Sequence, residues 1–255
     1  MNSLIVSHTD TYTLITINRP AALNALNTEV FDELNEVLSQ QLPASSRLLA
    51  ITGSGEKAFA AGADITEFTA LSGEEARNLS QKGQKIFDKL ENFHIPTIAL
   101  IHGYALGGGL ELALACQLRI VTKKAVLGLP EANLGLIPGY GGTQRLPKLI
   151  GKGKSIYYIL TSENINAETA ISLGAADFLV EDQAEGTSFI ENFAKKLSFK
   201  SGIASGLALE AILKSDSETG FNLESENFKK AFGSEDMKEG VGAFLEKRKP
   251  VFKNK

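Results

Sequence analysis

Two glutamates stand twenty residues apart in surroundings that do not suit a solvated acid. Glu111 lies in Ile101-His102-Gly103-Tyr104-Ala105-Leu106-Gly107-Gly108-Gly109-Leu110-Glu111-Leu112-Ala113-Leu114-Ala115, and Glu131 in Gly128-Leu129-Pro130-Glu131-Ala132-Asn133-Leu134-Gly135. The first stretch reads as an apolar strand over 97–101, a glycine run, and then a helix that is apolar on every side. Three consecutive glycines at a helix start leave backbone N–H groups bare and admit the close approach of another molecule. Together with the helix dipole, those groups make a site for negative charge. A glutamate early in a helix is often only a cap. Here its flanks, Leu110 and Leu112, mark a core helix, where a carboxylate is costly unless paired or protonated. An anion hole beside a buried acid points to catalysis. Glu131 would usually be read as a surface acid, but its loop is too apolar to lie open. A third stretch, Lys57-Ala58-Phe59-Ala60-Ala61-Gly62-Ala63-Asp64-Ile65, again places small residues and glycine after a strand, so its backbone can reach a ligand from a second side.

The elements that must hold these residues alternate. Leu4-Ile5-Val6 and the 12–17 stretch read as paired strands about a Thr9-Asp10 turn. A helix follows from Thr28, with Val30, Leu34, Val37 and Leu38 on one face, then a buried strand over 47–52. Ser72 and Glu75 form a capping box for a helix whose apolar side is Leu79, Ile86, Phe87 and Leu90. A strand over 118–121 precedes the Glu131 loop. This alternation predicts an α/β fold. After Thr143 the pattern turns helical apart from a short strand at 178–180, with amphipathic segments near 167–173, 188–198, 204–214 and 235–248. A boundary is placed near residue 200, dividing a 1–200 core that carries the site from a 201–255 helical part.

Composition narrows the function classes. A chain of 255 residues with 43% hydrophobic content can bury a core without disulfides, and its single cysteine, Cys116, suits a reducing compartment and reads as packing. A net charge of −4 with no basic block argues against nucleic acid as the main partner. The N-terminal residues show no basic leader before an apolar run, and no run is long enough to span a bilayer, so a cytoplasmic protein is expected. Gly53-Ser54-Gly55-Glu56-Lys57-Ala58 fits a dinucleotide fingerprint, but Gly62 falls where the required helix should run. Gly153-Lys154-Ser155 lacks the earlier glycine of a phosphate loop. His8, His94 and His102 form no partner pattern and are read as structural.

Taken with Ile17-Asn18-Arg19-Pro20-Ala21-Ala22-Leu23-Asn24-Ala25-Leu26 and the closing stretch from Glu239 to Pro250, the three motifs resemble the enoyl-CoA hydratase/isomerase (crotonase) superfamily nearly end to end. One such motif carries little; five in order are specific. The resemblance implies a crotonase-like spiral of repeated β-β-α units, a C-terminal helical oligomerisation subdomain, and homotrimers often paired as homohexamers. It also implies an oxyanion hole made by the backbone N–H groups of Ala63 and Gly108. Fixed donors suit that task, because addition next to a thioester carbonyl passes through an enolate, and losing one donor typically costs ~10²–10³ in rate.

By the same resemblance, hydratases hold both glutamates, whereas isomerases typically keep the one matching Glu131. Glu111 then takes the water, Glu131 serves the α-carbon, and the Gly139 backbone helps hold the water. The pair can also share these roles. The implied reaction is hydration of trans-2-enoyl-CoA to 3-hydroxyacyl-CoA, a hydro-lyase step of the fatty-acid β-oxidation type. No metal or separate cofactor is expected, since coenzyme A enters as part of the substrate. Its adenine and pantetheine are expected along Ala22 and Leu23 and along Ala61, Ala63, Asp64, Ile65 and Thr66, with Gly108 at the thioester and Lys57 near the phosphates. Lys57 reads equally well as a solvated lysine, and Ala21 stands where many members carry lysine. Tyr140 either borders the acyl pocket or packs. The alternatives are an enoyl-CoA isomerase, a hydratase of a branched or carboxylated acyl-CoA, and an RNA-associated binding protein of the same fold.

Overall fold

In the computed structural model, which describes residues 2–69, 71–215 and 217–255, the chain opens with an antiparallel hairpin of β1 (Leu4–His8) and β2 (Thr13–Ile17), in register from Leu4↔Ile17 to His8↔Thr13. Helix α1 (Thr28–Ser39) begins where the Asn27 side chain accepts the Val30 N–H, and buries the predicted Val30, Leu34, Val37 and Leu38. One unit then recurs. β3 (Leu49–Gly53) and β4 (Ala58–Ala60) lead to α2 (Gly73–Glu91), started by the Ser72–Glu75 capping box. β5 (Thr97–Ile101) and β6 (Tyr104–Leu106) lead to α3 (Gly108–Ala115). β7 (Leu118–Thr122) and β8 (Val126–Gly128) lead through a 3-10 turn, Pro130–Leu134, to α4 (Gly142–Ile150).

Each turn of this spiral puts its first strand in one sheet and its second in another. α5 (Lys152–Thr161), β9 (Ile165–Asn166), α6 (Ala167–Leu173), β10 (Phe178–Val180) and α7 (Gln183–Ser198) complete the layers. The larger sheet runs β1-β2-β3-β5-β7-β10 and the smaller β4-β6-β8-β9. From β2 onward the larger sheet is parallel, and β3 and β5 are buried at every residue, as a sheet covered on both faces requires. One core fills the space among the sheets and α1, α2 and α3; a second lies between the larger sheet and α7.

The structure departs from the sequence-based expectation in five places, one being the Glu131 loop, expected to be closed by its apolar residues but exposed over 132–137, Leu134, Leu136 and Ile137 included. The strand expected over 47–52 runs 49–53. The strands of the smaller sheet are absent from the sequence pattern: β4, β6 and β8 are three residues each and β9 two, too short to show alternation. The chain then ends in α8 (Gly202–Leu213), α9 (Gly220–Phe232) and α10 (Glu235–Leu245), and α9 fills a segment to which the pattern assigns no element. The 204–214 segment is not amphipathic. α8 is apolar around its circumference, buries none of its residues and packs along α9. As expected, the fingerprint-like glycines end in β4 rather than a helix, and Gly153-Lys154-Ser155 lies inside α5, so neither forms a phosphate loop.

Candidate active site

The three glycines that open α3 have separate tasks. Gly107 is the N-cap at φ 48°, ψ −125°, a conformation open to glycine, and its amide donates to the Gly128 carbonyl. Gly109 sits so close to β4 that a Cβ would lie 2.0 Å from the Ala60 carbonyl oxygen. Gly108 lies between them, and a Cβ there would stand 3.4 Å from the Ala63 amide nitrogen. The structure thus brings Ala63 and Gly108 side by side. Among the described residues neither N–H group has a backbone acceptor. Leu26 and Ala63 form a parallel bridge that uses the Gly62 carbonyl and the Asp64 N–H, so the Ala63 N–H faces away from it. Gly108 is the first residue of α3, where amides have no intrahelical acceptor.

The two carboxylates lie near enough for the charge of Glu131 to add to burial in raising the Glu111 pKa. A Cβ on Gly107 would be 3.2 Å from Glu131 Oε1 and 3.7 Å from Gly62 Cα, which puts Glu131 against both glycine stretches. Glu131 Oε2 is buried with no hydrogen-bond partner among the described residues, and burial raises its pKa. Glu111 is 1% exposed, and its Oε1 accepts the N–H groups of Tyr140 (2.8 Å) and Gly142 (2.7 Å). Burial lifts its pKa to about 7, opposed by the Gly142 N–H and reinforced by the charge of Glu131. Burial therefore raises both acids above the ordinary carboxylate value.

That shift has a consequence for stability. The folded pKa of Glu111 lies above its ordinary 4.5, so the folded chain binds the proton more tightly than the unfolded one. Folding is favoured below pH 4.5 by this group, and the advantage is lost as pH rises toward 7. Glu111→Gln carries no such penalty, so its stability relative to wild type should rise across that window, reaching on the order of 3 kcal/mol by pH 8. Urea melts of both proteins at pH 5 and pH 8 test this; an equal difference at the two pH values would contradict it.

Gly139 lies in the segment that leads to α4. Its carbonyl accepts Ser80 Oγ and Gln84 Nε2 (3.0 Å), both from α2. Tyr140 is buried edge-on against Phe31 (5.0 Å between centroids) and Phe87 (6.0 Å), and its ring flanks Gly108. Of the two readings of Tyr140 the structure shows packing, with one edge of the ring beside Gly108. Ala22 ends a 3-10 turn, Pro20–Ala22, and Leu23 follows at φ 51°. This segment lies alongside 61–64, with Ala61 N–H donating to the Leu23 carbonyl, so the expected coenzyme stretches are adjacent. Ile65 and Thr66 are exposed in a 3-10 turn, Ile65–Glu67, and Lys57 is exposed before β4. The Asp64 carboxylate is already engaged. Thr66 and then Arg19 hold its pKa below the ordinary carboxylate range, and Arg19 pairs with it at 2.9 Å. That clamp on the loop, the two amides that hold Glu111 and the α2 contacts to Gly139 lie beyond the sequence reading. The amides leave no side-chain signal, although Gly139, Gly141 and Gly142 mark a backbone free to turn toward a partner. His102 is buried with both ring nitrogens unpartnered among the described residues, and His8 Nδ1 lies 2.9 Å from Thr13 Oγ1. Among the described residues no group of three His, Cys, Asp or Glu is placed to hold a metal ion, and no helix is long and apolar enough to cross a membrane.

Comparison with known proteins gives the same picture. The family model described as enoyl-CoA hydratase/isomerase matches residues 8–255. A Bacillus subtilis protein named "Probable enoyl-CoA hydratase" is 43% identical over 99% of both chains. A Clostridium acetobutylicum protein named "Short-chain-enoyl-CoA hydratase" is 40% identical over 100% of this chain and 99% of its own. A crystal structure of enoyl-CoA hydratase from Bacillus anthracis superposes with a TM-score of 0.93 at 38% identity, covering 99% of this chain and 100% of the other. With the spiral architecture and a match that runs almost from end to end, the chain belongs to the enoyl-CoA hydratase/isomerase family.

Proposed function

We propose that the chain hydrates short trans-2-enoyl-CoA thioesters to 3-hydroxyacyl-CoA by syn addition of water. The observation that carries this reading is the adjacency of the Ala63 and Gly108 amides, with Glu131 against Gly107 and with Glu111 buried near enough to feel the Glu131 charge. The Ala63 and Gly108 N–H groups donate to the thioester oxygen and stabilise the enolate as charge moves onto it. The ionised member of the acid pair takes a proton from water as the water oxygen bonds to the β-carbon. The protonated member delivers its proton to the α-carbon. With Glu111 as base and Glu131 as acid, the step moves one proton from Glu131 to Glu111, and exchange with solvent resets the pair. The Tyr140 and Gly142 N–H groups favour the ionised form of Glu111 against the burial that raises its pKa, which suits it to the base's part. The Gly139 N–H completes the water's cradle.

Coenzyme A is part of the substrate in this reading, carried along 22–23 and 61–66, with Lys57 free to meet phosphate. The reaction is a cytoplasmic step of the β-oxidation type. The 201–255 helices serve assembly as a trimer or a pair of trimers. Phe221, Phe228, Phe232, Phe244 and Leu245 support this, since each is more than half exposed on α9 or α10. Light scattering should return a trimer or hexamer mass, and a monomer would count against it. The test of function is loss of the enoyl absorbance when the protein meets crotonyl-CoA. No loss, with double-bond migration in a 3-enoyl-CoA, would favour an isomerase; a series of chain lengths and branched acyl groups would define the substrate.

A further inference from the structure

A peptide plane has its C=O and its N–H pointing in opposite directions, so fixing one end aims the other. The plane between Gly139 and Tyr140 is held at both ends. Its carbonyl accepts Ser80 Oγ and Gln84 Nε2 (3.0 Å), and its N–H donates to Glu111 Oε1 at 2.8 Å. The next plane has its Tyr140 carbonyl on Arg145 Nη1 at 3.0 Å. In the one after, the Gly141 carbonyl accepts the Gln144 and Arg145 N–H groups of α4, and the Gly142 N–H donates to Glu111 at 2.7 Å. Arg145 is in turn gripped by Asp88 (2.6 Å) and Glu91 (2.7 Å). Ser80, Gln84, Asp88 and Glu91 follow one another at four, four and three residues, which is a single face of α2. Gly83 lies within that stretch, and a Cβ there would strike the Tyr140 ring at 2.3 Å, so the missing side chain lets helix and segment approach.

We propose that Ser80 and Gln84 are positioning residues for Glu111, holding the Gly139 carbonyl so that the Tyr140 N–H stays aimed at the carboxylate. Neither is hydrogen-bonded to Glu111, and no chemistry is assigned to either. A structural tie alone would require only that α2 and the 139–142 segment stay together, which the Arg145 pairs and the Phe31–Phe87–Tyr140 cluster already achieve. What the Ser80 and Gln84 contacts add is the orientation of one amide. The charged and titratable groups facing Glu111 are Glu131 from the 3-10 turn, Arg145 from α4 and the Tyr140 phenol; the variants below alter none of them.

This inference rests on Glu111 as the base of the hydration reaction, and its test is arranged to separate the two. In Ser80→Ala/Gln84→Ala, the Glu111 carboxyl, followed by carbon-13 NMR and identified by its loss in Glu111→Gln, should titrate about one pH unit higher than in wild type, the size of one weakened bond to a charged group. With crotonyl-CoA, kcat should fall about tenfold and the acidic limb of its pH profile should move up by the same interval, with KM unchanged. Ser80→Thr, which keeps the hydroxyl, should restore most of both. Should the double variant not fold, Ser80→Ala alone should give a smaller shift of the same sign. An unmoved titration in a folded variant, or a loss expressed only in KM, would overturn the proposal. A wild type that hydrates no enoyl-CoA would instead overturn the reaction, and the NMR titration would still decide the relay.

Discussion

Glu131→Gln and Glu111→Gln should each lower kcat for crotonyl-CoA hydration by ~10²–10⁴ while the fold stays intact. Glutamine is close in size to glutamate and keeps an acceptor oxygen, so the amide side chain in Glu111→Gln can still receive the Tyr140 and Gly142 N–H groups that hold Glu111. What it cannot do is take or give the proton. Because the carboxylates act on one water and one substrate, the double variant should be little worse than the poorer single one. Burial raises the Glu131 pKa as well, so Glu131→Gln, like Glu111→Gln, should gain stability relative to wild type as pH rises above the ordinary carboxylate value. Turnover at the wild-type level in either variant would falsify the acid–base assignment.

How far the sequence foretells this arrangement depends on which atoms do the work. The carboxylates are legible because a charged side chain in an apolar context is conspicuous, and the close approach of 62–63 to 107–108 because glycines mark it. The larger sheet was legible through β3 and β5, whose continuous apolar residues match strands buried on both faces. The smaller sheet was not, since a three-residue strand such as Ala58–Ala60 carries no period. Nor were the partners of Glu111 legible, because an amide has no letter. Ser80 and Gln84 read as the solvent face of an amphipathic helix, yet they meet the Gly139 carbonyl across 59 and 55 residues of chain. Arg145 reads as an ordinary basic residue of a helix; only folding shows it buried between Asp88, Glu91 and a backbone carbonyl.

Gly108→Ala should lower kcat by ~10²–10³, the cost of one oxyanion donor, without a comparable loss of coenzyme A binding. The added methyl would lie 3.2 Å from the Tyr140 ring and 3.4 Å from the Ala63 nitrogen, in the gap proposed for the thioester oxygen. Tyr140 cannot readily withdraw, because Phe31 and Phe87 hold it from behind and Gly83 leaves it no further room against α2. Relief must come from the Gly108 amide itself, and a shift of a few tenths of an ångström misaims it. The neighbouring glycine supplies the contrast. A methyl at Gly109 would meet the Ala60 carbonyl oxygen at 2.0 Å, a backbone atom that cannot turn aside, so Gly109→Ala should reduce the melting temperature and turnover together. Gly108→Ala should melt within a few degrees of wild type, because a first-turn alanine favours the helix and its contacts are tight without being impossible. Thermal melts and kcat measured side by side on the two variants separate chemistry from folding. A Gly108→Ala protein that turns over like wild type would place the enolate oxygen somewhere other than between Ala63 and Gly108.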